Sequence, residues 1–173
     1  STCLRSARLL DDGCDLRPNM TRMTEPKDHV EMIASLADGW IKAMGVRFVR
    51  ATVDEVVAKL DVTSTHLQPM GIVHGGVYAG LVETVASVGA GISTMERGRL
   101  PVGLENHTTF LRAARSGLLR ATARPLTRGS RTQVWHVDVT DADGRVLATG
   151  QVRFLVLEEG SALAGDAAGV KHA

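Results

Sequence analysis

A chain of 173 residues, 44% hydrophobic and 23% charged, is long enough for one domain with a sizeable core and ordinary in make-up for a soluble globular protein. Its net charge of +1 excludes an overall electrostatic bias toward any partner, and no run reaches the roughly 18 uninterrupted apolar residues of a membrane span, because Glu83 and several glycines interrupt the most hydrophobic stretch. The first stretch lacks a continuous apolar core of the secretory type, and its two cysteines, Cys3 and Cys14, have no partners at metal-ligand spacing; a cytoplasmic protein with neither structural disulfide nor metal is expected.

Residues 1–28 mix Asp, Arg, Pro, Thr and Cys without period and read as a mobile leader. From His29 to Met44 the residues Val30, Ile33, Ala34, Ala37, Ile41 and Met44 recur at helical spacing, with Gly45 as a stop, which predicts one helix. The runs VRFV (46–49) and EVVAKLDV (55–62) have β-branched content and partial alternation, and they predict a hairpin. A loop leads to a second, long helix from Gly75 to Met95, closed by GRLP. Four strand-like runs follow: VGLENHTTFLR, LLRATARPLTR, TQVWHVDVTD and RVLATGQVRFLVLE. The turns AARSG, RGSR and DADG carry Gly117, Gly129 and Gly144, so consecutive antiparallel strands are expected. Residues 158–173 are small and weakly patterned, and read as a flexible tail after a domain spanning 29–157. Strands on both sides of one apolar helix predict an α+β fold, a curved antiparallel sheet around that helix.

The stretch GIVHGGVYAGLVETVAS (71–87) concentrates the chemistry. On a helical wheel Gly76, Gly80, Glu83 and Ser87 fall on one stripe, while Val77, Leu81, Val85, Val88 and Ile92 line another. Gly80, Ala86, Gly89, Ala90 and Gly91 would let a neighbouring backbone approach closely. A helix N-terminus presents unpaired N–H groups and partial positive charge, and the glycines there leave a ligand free access. A carbonyl oxygen on the N–H of Gly75 or Gly76 would be polarised, with Glu83 further along the helix as base or nucleophile. A lone Glu in a helix is ordinarily a solvent-facing residue; His74 before the glycines and Ser87 after the carboxylate shift the reading toward a site. Between Arg97 and Arg131 stand eight arginines and one acid, Glu105. Most of these read as a solvated strand face, but guanidinium groups also suit a small polyphosphate ligand. With Phe110 as the only aromatic in that segment, no nucleic acid is expected.

The segment QPMGIVHGGVYAGLVETVAS (68–87) resembles the active-site helix of hotdog-fold acyl-CoA thioesterases, in the branch that includes the 1,4-dihydroxy-2-naphthoyl-CoA hydrolases, the enterobactin-pathway proofreading thioesterase and one type of 4-hydroxybenzoyl-CoA thioesterase. The resemblance runs through VGLENHTTFLRAARSG and GSRTQVWHVDVTDADGRVLATG, covering roughly residues 40–157. It implies a hotdog fold with five to six strands, assembly into homodimers or dimer-of-dimers tetramers, and hydrolysis of an aromatic or medium-chain acyl-CoA without a cofactor. By the same resemblance the Gly75 N–H polarises the thioester carbonyl, and Glu83 of the partner subunit is nucleophile or general base. Gln68 and His74 orient the thioester or the water, Ser87 assists Glu83, and Arg112, Ser130 and Arg131 contact the nucleotide of CoA.

Two positions refine that expectation. Leu157 stands where one relative carries an arginine for a CoA phosphate, and Glu83 rather than Asp sets the chain apart from the phenylacetate-pathway branch. His107 and His136, on predicted strands, read as structural; Trp40 and Trp135 read as packing residues, and Asn106 as a possible part of the acyl pocket. No G-x-S-x-G elbow is present, which removes a serine hydrolase. A non-catalytic acyl-CoA-binding module is the alternative from another class, and an intact Glu83 speaks against it; a hydratase, which would want a His and Asp pair, ranks last.

Overall fold

A computed structural model of the chain describes residues 25–167, so nearly all of the expected leader lies outside the described residues. The elements are α1 (Val30–Ser35), α2 (Gly39–Ala43), β1 (Arg47–Ala51), β2 (Val56–Asp61), α3 (Gly75–Met95), β3 (Leu100–Phe110), β4 (Leu118–Arg128), β5 (Thr132–Thr140) and β6 (Val146–Leu157). A small hairpin, β7 (Ala162–Leu163) and β8 (Asp166–Ala167), occupies part of the expected tail.

The single helix expected over residues 29–44 is two. The apolar period runs through both because each packs toward the core, but Gly39 has φ +55° and Asp38 is extended, which breaks the hydrogen-bond ladder between them. Asp28 ties the start of α1 to the sheet, its carboxylate accepting from the N–H groups of Val30 at 3.0 Å and Ala51 at 2.9 Å.

All sheet pairings are antiparallel, in the order β1-β2-β4-β5-β6-β3. The expected hairpin between β3 and β4 does not form. Both edges of β4 are already taken by β2 and β5, so β3 pairs only with β6 and becomes an edge strand of eleven residues. The chain then returns past the start of α3: Leu111 and Arg112 donate to the Leu147 carbonyl at 2.8 and 3.0 Å, and Val73 donates to Ala114 at 2.8 Å. This return path is what brings the end of β3 to the N-terminus of the long helix.

Helix α3 lies in the hollow of the curved sheet. Val77, Leu81, Val82, Val85 and Ala86 pack against inward residues such as Leu119, Ala121, Val137, Val152 and Phe154. By length and mean hydropathy alone α3 would pass for a membrane span, although Glu83 interrupts its apolar run, and half of its apolar window is buried in this core. Its small residues admit indoles rather than a neighbouring backbone. A Cβ on Gly80 would lie 2.4 Å from the Trp40 ring, and one on Gly89 would lie 2.4 Å from the ring of Trp135, which is fully buried; Gly91 has nothing within 4 Å. Val88, on the stripe expected to pack, is half-buried.

Candidate active site

The loop into α3 decides which of the two glycines is open. His74 is extended at the N-cap, and its Nδ1 accepts from the Gly76 N–H at 2.8 Å, while Val77 donates to the His74 carbonyl at 2.9 Å. The Gly75 N–H makes no hydrogen bond among the described residues. One of the two candidate donors is therefore satisfied within the helix and the other remains available. A Cβ at Gly75 would meet the exposed Phe110 ring at 2.9 Å, so a side chain there requires that ring to shift.

Around Gly75 is a cavity of about 280 Å³ lined by Gln68, Ile72, Gly75, Tyr78, Phe110 and Arg112, among others. Gln68 is held by its own loop, its Oε1 accepting from the Met70 N–H at 2.6 Å and its backbone N–H donating to Ile72 at 2.9 Å. Tyr78, one turn into the helix on the same face as Gly75, is buried against Phe110 with ring centroids 6.1 Å apart. Its hydroxyl closes no hydrogen bond of ordinary geometry. Neither Phe110 nor Tyr78 is a site residue by the sequence reading; Phe110 is the sole aromatic of the basic segment, and only the return path of the chain puts it on Gly75.

Glu83 is half-buried on the flank of α3 that faces β3. Its Oε2 accepts from Asn106 Nδ2 at 2.9 Å, and its Oε1 lies 3.4 Å from Ser87 Oγ, a long contact. Oε1 also fills the space beside Gly103, where a Cβ would stand 2.8 Å away. Strict alternation would put residues 103 and 106 on opposite faces of β3. The register shift between Gly103 and Glu105 makes Leu104 an extra residue, so Gly103 and Asn106 both face the helix, opposite Phe154 and Val152 of β6. Asn106 is thus a neighbour of the carboxylate, a contact sequence reasoning did not foresee; the available signal was an Asn, a poor strand former, in mid-strand.

Gly75 and Glu83 do not meet within one chain. Eight residues of α-helix separate them by about 12 Å along the axis. The expected nucleotide contacts are also apart. Arg112 donates to the Val146 carbonyl at 2.6 Å, at the start of β6, whereas Arg131 accepts through its carbonyl from Val156 at 2.8 Å, at the other end. Ten strand steps separate Val146 from Val156, about 33 Å.

Most of the basic segment is structurally engaged. Arg99 pairs with Glu158 at 2.8 Å, Arg128 with Asp54 at 3.1 Å and Arg124 with Glu55, while Arg115 donates to the carbonyls of Met70 and Gly71. Arg97, Arg120 and Arg131 have no such partner among the described residues. A second cavity, of about 260 Å³, is lined by Arg97, Arg99, Arg128, Ser130 and Gln133 at the end of α3. His107 and His136 lie on the outer face of the sheet, where His136 Nε2 is 3.3 Å from Asp138.

The sequence model of one family, the thioesterase superfamily, matches residues 70–148. The 1,4-dihydroxy-2-naphthoyl-CoA hydrolase of Escherichia coli is 33% identical over 129 residues, 74% of this chain and 94% of that protein. The structure of Rv1847/MT1895 from Mycobacterium tuberculosis is 43% identical, with a TM-score of 0.66 over 68% of this chain and 94% of that one. The thioesterase HI1161 of Haemophilus influenzae superposes with a TM-score of 0.71 at 28% identity, over 75% and 90% of the two chains.

Proposed function

Because the chain belongs to the thioesterase superfamily, with a hotdog fold and the reaction class of a thioester hydrolase, we propose that it cleaves an aromatic or medium-chain acyl-CoA at a site shared between two copies of itself. The observation that carries this reading is the separation of its two chemical ends along α3: an open N–H at Gly75, and about 12 Å away a carboxylate at Glu83 held against an unpaired strand edge. Neither end is complete alone. Gly75 lies against Phe110, near the end of β3, and Glu83 lies beside Gly103 and Asn106, nearer its start. Two β3 edges paired antiparallel about a two-fold axis would set Phe110 of one chain opposite the earlier half of the other's strand. Gly75 would then face the partner's Glu83, and Arg112 would approach the partner's Ser130 and Arg131.

In that arrangement the Gly75 N–H and the partial positive charge of the helix terminus stabilise the oxyanion that develops on the thioester carbonyl. Glu83 attacks the carbonyl carbon directly or removes a proton from the attacking water, and the C–S bond breaks to release the CoA thiolate; in the direct route water then cleaves the Glu83 anhydride to free acid and free carboxylate. Gln68 lines the same cavity as Gly75 and orients the thioester. His74 keeps Gly76 satisfied through Nδ1, which leaves Nε2 as its one ring atom available to water or substrate. Ser87 steadies Glu83, while Arg112, Ser130 and Arg131 take the nucleotide phosphates.

The test is release of free CoA thiol from benzoyl-, hydroxybenzoyl-, phenylacetyl-, naphthoyl- and straight-chain acyl-CoAs, with Glu83→Gln alongside. A preferred substrate whose kcat falls about 100-fold or more in the variant is the expected result. Equal turnover by the variant would take Glu83 out of the chemistry, and binding without release from any ester would make the protein an acyl-CoA-binding module.

A further inference from the structure

Asn106 is the one strong hydrogen-bond donor to Glu83 among the described residues, and its own amide is fully committed. One Nδ2 proton goes to Glu83 Oε2 at 2.9 Å, the other to the Ala79 carbonyl at 3.1 Å, and Oδ1 accepts from Thr108 Oγ1 at 2.6 Å. The amide has only one workable orientation. Turned over, it would place its oxygen against a carboxylate and a carbonyl, two acceptors with no proton between them. Thr108, two residues on and on the same face of β3, secures the other side.

From this geometry we infer that Asn106 is a positioning residue for the thioesterase reaction: it holds Glu83 Oε2 so that Oε1 is the oxygen presented to the substrate. The inference rests on the proposed role of Glu83. A glutamate on a helix flank has three side-chain torsions, and ordering it at the moment of reaction carries an entropic cost that a fixed partner removes beforehand. Ser87, at 3.4 Å, is too distant to do this alone. Oε1 keeps its lone pairs largely free and sits where Gly103 has no side chain to displace it. The bulge at Leu104 is what places both the notch and the amide on Glu83.

The test compares Asn106→Ala and Asn106→Asp with wild type, using benzoyl-CoA and decanoyl-CoA and analysing whichever is cleaved faster. Thermal melts and light scattering establish that each variant keeps its fold and assembly. Asn106→Ala is expected to lower kcat about 10- to 100-fold with KM within about twofold, the pattern for an interaction that serves the transition state. Asn106→Asp has nearly the same shape but turns two donors into acceptors facing a carboxylate and a carbonyl, so it should fall at least as far as Ala. If Asp retained wild-type kcat, Asn106 would merely fill space and the inference would be overturned. A double-mutant cycle separates this from the role of Glu83 itself: in a Glu83→Gln background Asn106→Ala should cost less than about threefold further, because no carboxylate remains to be aimed. An inactive Glu83→Gln with a fully active Asn106→Ala would remove the positioning role alone; a fully active Glu83→Gln would remove both.

Discussion

The role proposed for α3 rests on single backbone and side-chain atoms, so the sharpest predictions concern single residues. Gly75→Pro deletes the N–H assigned to the oxyanion and adds three ring carbons. Proline is well tolerated at the first position of a helix, and His74 before it is already extended, with φ −66° and ψ 138°. The exposed Phe110 ring can move off the added atoms. The variant should therefore fold while kcat falls about 100-fold or more, a loss typical of an oxyanion donor; unchanged kcat would release Gly75 from that role. Tyr78 offers a test of stability. Burial pushes its phenol above the ordinary pKa, with a smaller opposing pull from the Ala114 backbone. The unfolded chain thus loses its proton first, so this contribution is complete below about pH 10 and is lost as pH rises through the folded value. Tyr78→Phe should flatten the alkaline loss in urea titrations and leave stability near pH 7 unchanged or up to about 1 kcal/mol higher. A clear loss near pH 7 would mean that the hydroxyl is bonded after all.

At the scale of elements, the packing of α3 is set by where its glycines meet rings. Trp135 is fully buried against Gly89, with its Nε1 donating to Gln133 Oε1 at 2.9 Å, which leaves the ring no freedom to retreat. Gly89→Ala is expected to destabilise by about 1–3 kcal/mol through overpacking. Gly91→Ala, on the same helix but with nothing within 4 Å of the new methyl, should stabilise by up to about 1 kcal/mol through helix propensity. Chemical denaturation of the pair checks both, and equal effects would contradict the packing described here. The positions of these glycines were legible in the sequence, but their neighbours were not. A small-residue pattern predicts close approach without saying whether a backbone or a ring approaches.

For the whole molecule, the decisive feature is an eleven-residue edge strand beside the candidate site. An unpaired strand edge of that length invites pairing with another chain. If the site is shared, a mixed dimer of Gly75→Pro and Glu83→Gln protomers has one site carrying both lesions and one carrying none. Co-expression of the two variants should then restore about a quarter of wild-type activity, since about half the dimers are mixed and each has one intact site of two. No recovery, with mixed dimers shown to be present, would confine each site to one chain. Arg131→Ala tests the other end of the same arrangement. It should raise KM for acyl-CoA more than it lowers kcat, as expected for binding of a remote nucleotide; a steady KM would make Arg131 a surface residue.

By itself the sequence determined α3, the six strands of the main sheet and the family: the 3.6-residue period of α3, the β-branched runs and the Gly-bearing turns are local signals, and the HGG, Glu83 and GSR motifs are local as well. It also carried the glycines at the start of α3. Tertiary structure alone decided that β3 leaves β4 for the outer edge, because which strand pairs with which depends on edges already occupied far away in the chain. It also decided that Gly76 is capped by His74 while Gly75 stays open, that Phe110 lies on Gly75 and Asn106 on Glu83, and that Arg112 stands far from Ser130 and Arg131. Each of these is a contact between residues distant in sequence or a choice among neighbouring donors. The long-range contacts among them are fixed by the packing of the sheet around α3, and no local pattern of residues encodes those.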